Sequence, residues 1–592
     1  MRDKQIVEMI RSVEERLLEK RPSSGSIWRG ELSSSAISTS VSVFALFMVD
    51  EKKYASYIQG GTEWLIKTMH PDGSWGDTIE SPSNMTATLL TYASLCAVGV
   101  APQKTKEYLT EKFGGSTDQH IINGVLSYYG KDLTFSAPIL VMCALSGVIS
   151  SWNKIPQLPF ELSVLPQSFF RFLRLPVVSY AIPALIAVGI LRHKKGKKNF
   201  LSGLRNSFIG KSLKVLEKLQ PSNGGFLEAA PLTAFVTMCM CGAGYRDHIA
   251  TQQGAKFLTN TARKDGVWPI DTDLACWVTS LSIKALDNDI PDRELLTNEV
   301  KKNAFKYKHP FTGAAPGGWG WSDLPGAAPD ADDTAGNLIA LHILTHGNYC
   351  QEAENGVKWL LDLQNSDGGM PTFCKGWGKL PFDRSSPDIS AHSIMAFELW
   401  HDTLPEKLQA KCSESISRLL QWMKKAQASD GSWTPLWFGD QDADDEKSPV
   451  YGTAVAVEYL SHSKNHLAKD ITAKGVEFLL SVQNTDGGWG GAKEIQSKVT
   501  LTARALSALA VQSSKLQVQS CKFQNPEPET PSKLETSMKR AFDFLYHKYK
   551  AEELYRPEPI GLYFSRLWYS EELYNITFVL NALKKLNLRN NF

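Results

Sequence analysis

Zinc chemistry has little to stand on in this chain: its nine cysteines are scattered, no CxxC pair occurs, and histidines do not cluster at ligand spacing. Cys239 and Cys241 form the only close pair, a pattern that favours a reduced cytosolic compartment over a disulfide framework. The stretch from Met1 to Lys20 is charged and helix-like and lacks the apolar core of a secretory signal, so export is not indicated. No excess of one charge exists either. With 64 Lys plus Arg against 62 Asp plus Glu, no overall basic field would attract nucleic acid. No DDxxD motif is present, which argues against ionising a diphosphate through magnesium.

Long apolar runs are also missing. Leu175 to Leu191 is uncharged but short and holds two prolines, and Leu133 to Asn153 contains several serines and a proline. Phe169 to Leu175 and the basic run Arg192 to Lys198 bracket the first of these. That pattern suits either a buried core element or a helix lying in a membrane interface near anionic lipid.

What the chain has is length, apolar content and a repeat. Its 592 residues, 43% of them hydrophobic, predict two or more domains with a large core. Gln220 to Phe226, Gln364 to Met370, Gln427 to Trp433 and Gln483 to Trp489 share one frame of Gln, Asp or Asn, Gly and a large final residue. Met69 to Trp75 and Ala262 to Trp268 are copies without the Gln. Helical patterns such as Val357 to Leu363 precede the copies and others such as Leu501 to Leu509 follow, so the unit is helix, Asp-Gly turn, helix. Glycine supplies the positive φ, Gln and Asp can bond unpaired helix-end groups, and Trp covers the joint. Stacked helical hairpins closed into rings are the most economical all-α fold for such repeats.

Against that background Asp330-Ala-Asp332-Asp333 places three carboxyls on one turn before the apolar run Leu338 to Leu341. An ordinary helix start explains them in part, since Asp330 can cap and acids suit the positive end of the helix dipole. The same four letters recur at Asp442 to Asp445, where Glu446, Lys447 and Pro449 make an exposed acidic loop the expected reading. In Pro387-Asp388-Ile-Ser-Ala-His392 an Asp and a His stand four apart on one helical face, so that the carboxylate can orient the imidazole.

The spaced Gln and Trp repeats together with Asp330-Ala-Asp-Asp-Thr-Ala335 resemble the squalene-hopene cyclase and oxidosqualene cyclase family of class II terpene cyclases, over nearly the whole chain. The resemblance implies two α/α barrels with a large apolar cavity between them: an inserted barrel over residues 25–270, its segment 160–200 facing a membrane, and a catalytic barrel of residues 1–24 plus 271–592. It implies Asp332 as the proton donor to a terminal alkene, Asp330 and Asp333 as neighbours that tune it, and Asp388 with His392 as the supporting pair. Trp277, Trp319, Trp321, Phe373, Trp437 and Tyr451 fall at positions resembling the cation-stabilising cavity wall. No metal or cofactor is implied. A linear polyprene is the expected substrate, squalene favoured and converted to a hopene or hopanol-type triterpene, with other long prenyl chains as alternatives. Monotopic attachment to the cytoplasmic side of a membrane is expected, no nucleic acid is, and a homodimer is kept open.

Three departures bear on substrate and product. Ser33 to Val49 lacks the acidic residue that hopene-forming members carry, Asp440 to Lys447 is an insertion, and Pro559 to Tyr574 resembles the last cavity wall only loosely. Two other function classes stay in view. A protein prenyltransferase β-subunit needs Asp, Cys and His zinc ligands, for which Cys276 near Asp273 is a poor match, and a non-catalytic helical-repeat binding protein would leave the carboxyl cluster unexplained.

Overall fold

The computed structural model describes residues 2–130, 133–166, 182–198, 200, 202–310, 312–373, 384–520, 532–562 and 566–590. Helices dominate. Five of them, α1 (Ala36–Asp50), α2 (Met85–Ala97), α3 (Leu133–Leu145), α4 (Ile182–Lys195) and α5 (Ala230–Gly242), pack each on the next and close with α5 against α1. A second ring is formed by α6 (Ala275–Leu286), α7 (Ala331–Thr345), α8 (Pro387–Trp400), α9 (Pro449–Leu460), α10 (Val499–Ser520) and α11 (Glu572–Asn590), with α11 returning to α6. Other helices wrap each ring from outside, including the first, Arg2–Glu19, which packs on α11.

Burial explains which helices lie inside. An inner helix is walled on both sides, and α9 is buried at every position from Val450 to Leu460. An outer helix such as Glu406–Ala426 buries one stripe, Leu408, Cys412, Ile416, Leu419 and Met423, and presents charge on its other face. Two hydrophobic cores result. One gathers residues between Ala36 and Trp268, the other joins Ile6 to Leu32 with Ala275 to Leu586. A small antiparallel sheet, Phe438–Gly439, Ile560–Leu562 and Leu567–Tyr569, is the only one among the described residues, with Phe438 opposite Leu562 and Gly561 opposite Trp568.

The repeat is a stitch between hairpins. Gln220, Gln364, Gln427 and Gln483 each donate Nε2–H to two carbonyls, one in their own turn (Gly224, Gly368, Gly431, Gly487) and one at the next outer helix (Ala250, Ser415, Ile471, Ser537), at 2.8–3.2 Å. The final aromatic secures the other side of the joint. Trp433 Nε1 donates to the Met423 carbonyl at 2.9 Å, and its backbone N–H donates to Thr453 Oγ1 at 2.9 Å. Trp489 does the same with Leu479 and Thr502, and Trp75 with Leu65 and Thr88.

The apolar half of the bracketed segment that is described, Ile182 to Leu191, lies buried within α4 as core of the first ring. Residues 167–181, which include Phe169 to Leu175, lie outside the described residues. Among the described residues no helix is long and apolar enough to cross a membrane.

At Gly431 the chain sits at φ +90°, and a Cβ would stand 2.4 Å from the Lys474 carbonyl oxygen. Gly431→Ala is therefore expected to lower stability by about 1–3 kcal/mol from backbone strain alone, with more from the clash, read as a reduced denaturation midpoint at unchanged m-value.

Candidate active site between the two barrels

Both rings contribute to one cavity. The first supplies Ile37, Thr86, Leu90, Phe135 and Phe235, and the second Trp277, Trp321, Phe373 and Trp437. Asp330, Asp332 and Asp333 line it at the N-terminus of α7.

The turn that carries these acids is a repeat joint. Trp319 N–H donates to Thr334 Oγ1 at 3.0 Å and Trp319 Nε1 to the Val300 carbonyl at 2.8 Å, as the other repeat tryptophans do. Asp330 N–H donates to the Trp319 carbonyl at 3.0 Å, and Ala331 N–H to the Thr372 carbonyl at 2.9 Å. Asp330 is the N-cap, its Oδ1 accepting from Asp333 N–H at 2.9 Å.

The three carboxyls differ in surroundings. Asp330 and Asp333 are buried, whereas the Asp332 side chain keeps 21% of its surface. Burial pushes Asp330 up to about 7, against the bonds from Asp333, while the Asp332 charge adds to the rise. Burial, then the negative charges of Asp330 and Asp332, hold Asp333 well above the carboxylate range, and its Oδ1 has no hydrogen-bond partner. Asp332 Oδ1 lies 2.7 Å from His392 Nδ1. Burial depresses His392 against the opposing pull of Asp332, so the neutral imidazole with its proton at Nδ1 can donate to the carboxyl. The His392 ring stacks on Tyr459 at 4.4 Å between centroids and meets the Trp277 edge at 6.3 Å.

The cavity aromatics form a connected wall: Phe373 is edge-on to Trp321 at 6.0 Å and to Trp437 at 5.6 Å. Trp277, Trp321, Phe373 and Trp437 all line this cavity.

Three placements differ from expectation. Trp319 does not line the cavity. Fully buried and bonded to Val300, it is the joint residue of a repeat copy, Gly317-Gly-Trp319, in which neither Gln nor Asp survives. Tyr451 stands behind the wall, its ring tilted against Phe438 at 4.7 Å between centroids, and Phe438 takes the lining position. Asp388 and His392 share a helix but make no hydrogen bond with each other: Nδ1 is taken by Asp332, and Asp388 Oδ1 accepts from Ser386 Oγ. The buried Asp388 carboxyl is pushed up to about 7 by burial and by the Asp332 charge.

Several wall residues were not singled out from sequence. Tyr569 and Tyr574 line the cavity with their hydroxyls 3.1 Å apart, and Thr86 Oγ1 lies 2.8 Å from the Tyr129 hydroxyl. Asp271 lines it too, held well above the carboxylate range by burial and by Glu228. The aromatic density of Pro559 to Tyr574 was a signal for the tyrosine pair, whereas nothing local marks Asp271. Asp273, weighed with Cys276 as a zinc ligand, is engaged by Arg29 at 2.9 Å and by Ser322 Oγ at 2.6 Å.

A family model for the squalene-hopene cyclase C-terminal domain matches residues 273–587, more than half of the chain. The chain belongs to the squalene-hopene cyclase family. A prenyltransferase alpha-alpha toroid domain also matches residues 4–153. Among individual relatives, squalene hopane cyclase afumA of Aspergillus fumigatus is 22% identical over 78% of this chain and 75% of its own length. Enfumafungin synthase efuA of Hormonema carpetanum is 21% identical over 72% of this chain, which spans only 38% of that protein. The solved ent-copalyl diphosphate synthase from Streptomyces platensis superposes with a TM-score of 0.57 at 16% identity over 99% of both chains, a likeness of fold.

The raised carboxyls of this squalene-hopene cyclase family member make stability depend on pH. Asp388 titrates near 3.8 when unfolded and about 7 when folded, so its burial costs nothing below pH 4 and destabilises increasingly as pH rises toward 7. Asp388→Asn should flatten the fall in thermal midpoint over that window, the slope removed corresponding to about 1.4 kcal/mol per pKa unit.

Proposed function

We propose that this chain is a class II terpene cyclase in which Asp332 protonates a terminal alkene of a linear polyprene and starts cationic polycyclisation. The observation that carries this reading is the 2.7 Å contact between Asp332 and His392 at the edge of a cavity walled by Trp277, Trp321, Phe373 and Trp437. His392 Nδ1–H donates to one carboxyl oxygen, which leaves the other to carry the acidic proton toward the cavity. On transfer that O–H bond breaks, a C–H bond forms at the alkene, and the new carboxylate keeps its hydrogen bond from His392. The positive charge left on carbon is stabilised by aromatic faces, at roughly 0.5–2 kcal/mol for each well-placed ring. Squalene is the favoured substrate, since relatives named for squalene cyclisation match across both barrels.

The test is incubation of detergent-solubilised protein with squalene and, in parallel, with shorter and longer polyprenes, with and without EDTA, analysed by gas chromatography and mass spectrometry. A cyclic isomer or hydrate of squalene insensitive to EDTA, lost by about 10³-fold or more in Asp332→Asn, is the expected result. Cyclisation of another polyprene alone would replace squalene and keep the mechanism. No product from any of them would remove the cyclase reading.

We also propose monotopic attachment to a membrane, from which so apolar a substrate would be drawn. Phe200 is 91% exposed and Leu204 61%, beside the basic run that ends α4. Phe200→Ser combined with Leu204→Ser is expected to reduce co-sedimentation with anionic vesicles several-fold while leaving the thermal midpoint unchanged. Equal sedimentation of wild type and variant would sink this attachment.

A further inference from the structure

A second charged group lies inside the catalytic ring, away from the cavity. Glu458 on α9 is fully buried and receives Lys284 Nζ from α6 at 2.6 Å, Lys585 Nζ from α11, and the Arg504 guanidinium from α10 at 3.7 Å. Asn581 adds a hydrogen bond at 3.2 Å. Lys284, Lys585 and Arg504 therefore share one carboxylate in a place shielded from water, where burial lowers Lys284 and brings Lys585 down to about 8 against the pull of Glu458, so the cluster carries excess positive charge below that range and loses it above. Such charge is costly to bury unless an anion elsewhere offsets it.

The cluster abuts the proton donor's support. Lys284 Nζ stands 4.2 Å from the centroid of the Tyr459 ring and 3.2 Å from its hydroxyl, and that ring is the one stacked on His392. Arg504 lies 3.7 Å over Phe578 and 5.6 Å over Tyr451, with Nε making no hydrogen bond. The charge of Asp332 acts on both Lys284 and Arg504.

We propose that Lys284, Lys585 and Arg504, gathered on Glu458, are positioning residues for the acid: their excess of positive charge near neutral pH stabilises the carboxylate left on Asp332 after proton transfer. Lys284 and Arg504 also disfavour a second cation on His392, so the cluster takes the electrostatic part that an imidazolium would otherwise play. The other titratable groups around Asp332 are Asp330 and Asp333 on its own helix, Asp388 on α8, and the phenols Tyr451 and Tyr459 on α9. None of these supplies positive charge. The inference rests on Asp332 being the proton donor.

The test reads the Asp332 carboxyl directly, through the carboxylic acid C=O stretch in infrared difference spectra, with the band assigned by its loss in Asp332→Asn. Its titration midpoint is followed in wild type, Lys284→Met, Lys585→Met and Lys284→Arg. Removing one positive charge should raise the midpoint by about one pH unit in each Met variant, while Lys284→Arg stays near wild type. Where a product is formed, kcat should fall 10-fold or more in the Met variants with KM within two-fold, and its high-pH limb should move up with the band. An unmoved midpoint in folded Lys284→Met or Lys585→Met, or an equal shift in Lys284→Arg, would overturn the proposal. If the wild type cyclises no polyprene while the band still shifts, the cyclase reading falls and the electrostatic coupling stands.

Discussion

Three carboxyl groups on one helical turn cannot all be ionised once water is removed, and the architecture around α7 follows from that constraint. A helix N-terminus favours anions, and a capping Asp normally sits there charged. Here two packed barrels cover the turn, and desolvation outweighs the dipole and the capping bond, with Asp330 raised to about 7 and Asp333 held well above the carboxylate range. All three line the cavity, but only the Asp332 side chain keeps a fifth of its surface exposed and meets His392.

The turn is held by the same device that builds the rest of the molecule. In the joints at Trp75, Trp433 and Trp489 an indole N–H closes on the preceding helix while the backbone N–H finds a threonine on the next. Trp319 and Thr334 form that joint before α7. The run Asp330 to Thr334 therefore divides its labour. Its threonine belongs to the scaffold and its acids to the site, and so the acids inherit the rigidity of a repeat shared with joints that have no chemistry. The contrast with Asp442 to Asp445 makes the point from the other side: Asp442 pairs with Lys498, and Asp444 and Asp445 stay exposed on a loop.

The parts of the structure that depend on local pattern were legible in the sequence, namely the helical hairpins, the glycine turns and the acidic turn at an inner helix start. Parts that depend on which helix faces which were not. Trp319 was read with Trp321 as cavity wall because the resemblance covers the whole segment Gly317 to Trp321, and only the bond to Val300 shows which of the two is the joint. A spacing of four made Asp388 the natural partner of His392, but a stronger contact from the neighbouring helix took the imidazole nitrogen. Glu458, Lys284, Arg504 and Lys585 come from four helices spread over three hundred residues, each an unremarked charge in its own window. Convergence inside a ring leaves no periodic trace.

A cavity for carbocations must do more than attract positive charge, because any free nucleophile in its wall would end the reaction early. The hydroxyls here are engaged: Thr86 with Tyr129, Tyr569 with Tyr574, and Thr372 with the Trp437 indole. The lining carboxyls Asp271, Asp330 and Asp333 are driven toward their neutral forms, and a protonated carboxyl is a poor nucleophile and a poor base. Desolvation thus acts twice under cyclase chemistry. It drives Asp330 and Asp333 beside Asp332 toward their protonated forms, and it disposes those same groups against capturing or deprotonating a cation in the cavity. A wall built of aromatics alone would supply the second property without the first. Placing the acids within the dry wall, rather than at a wet entrance, supplies both from one physical cause.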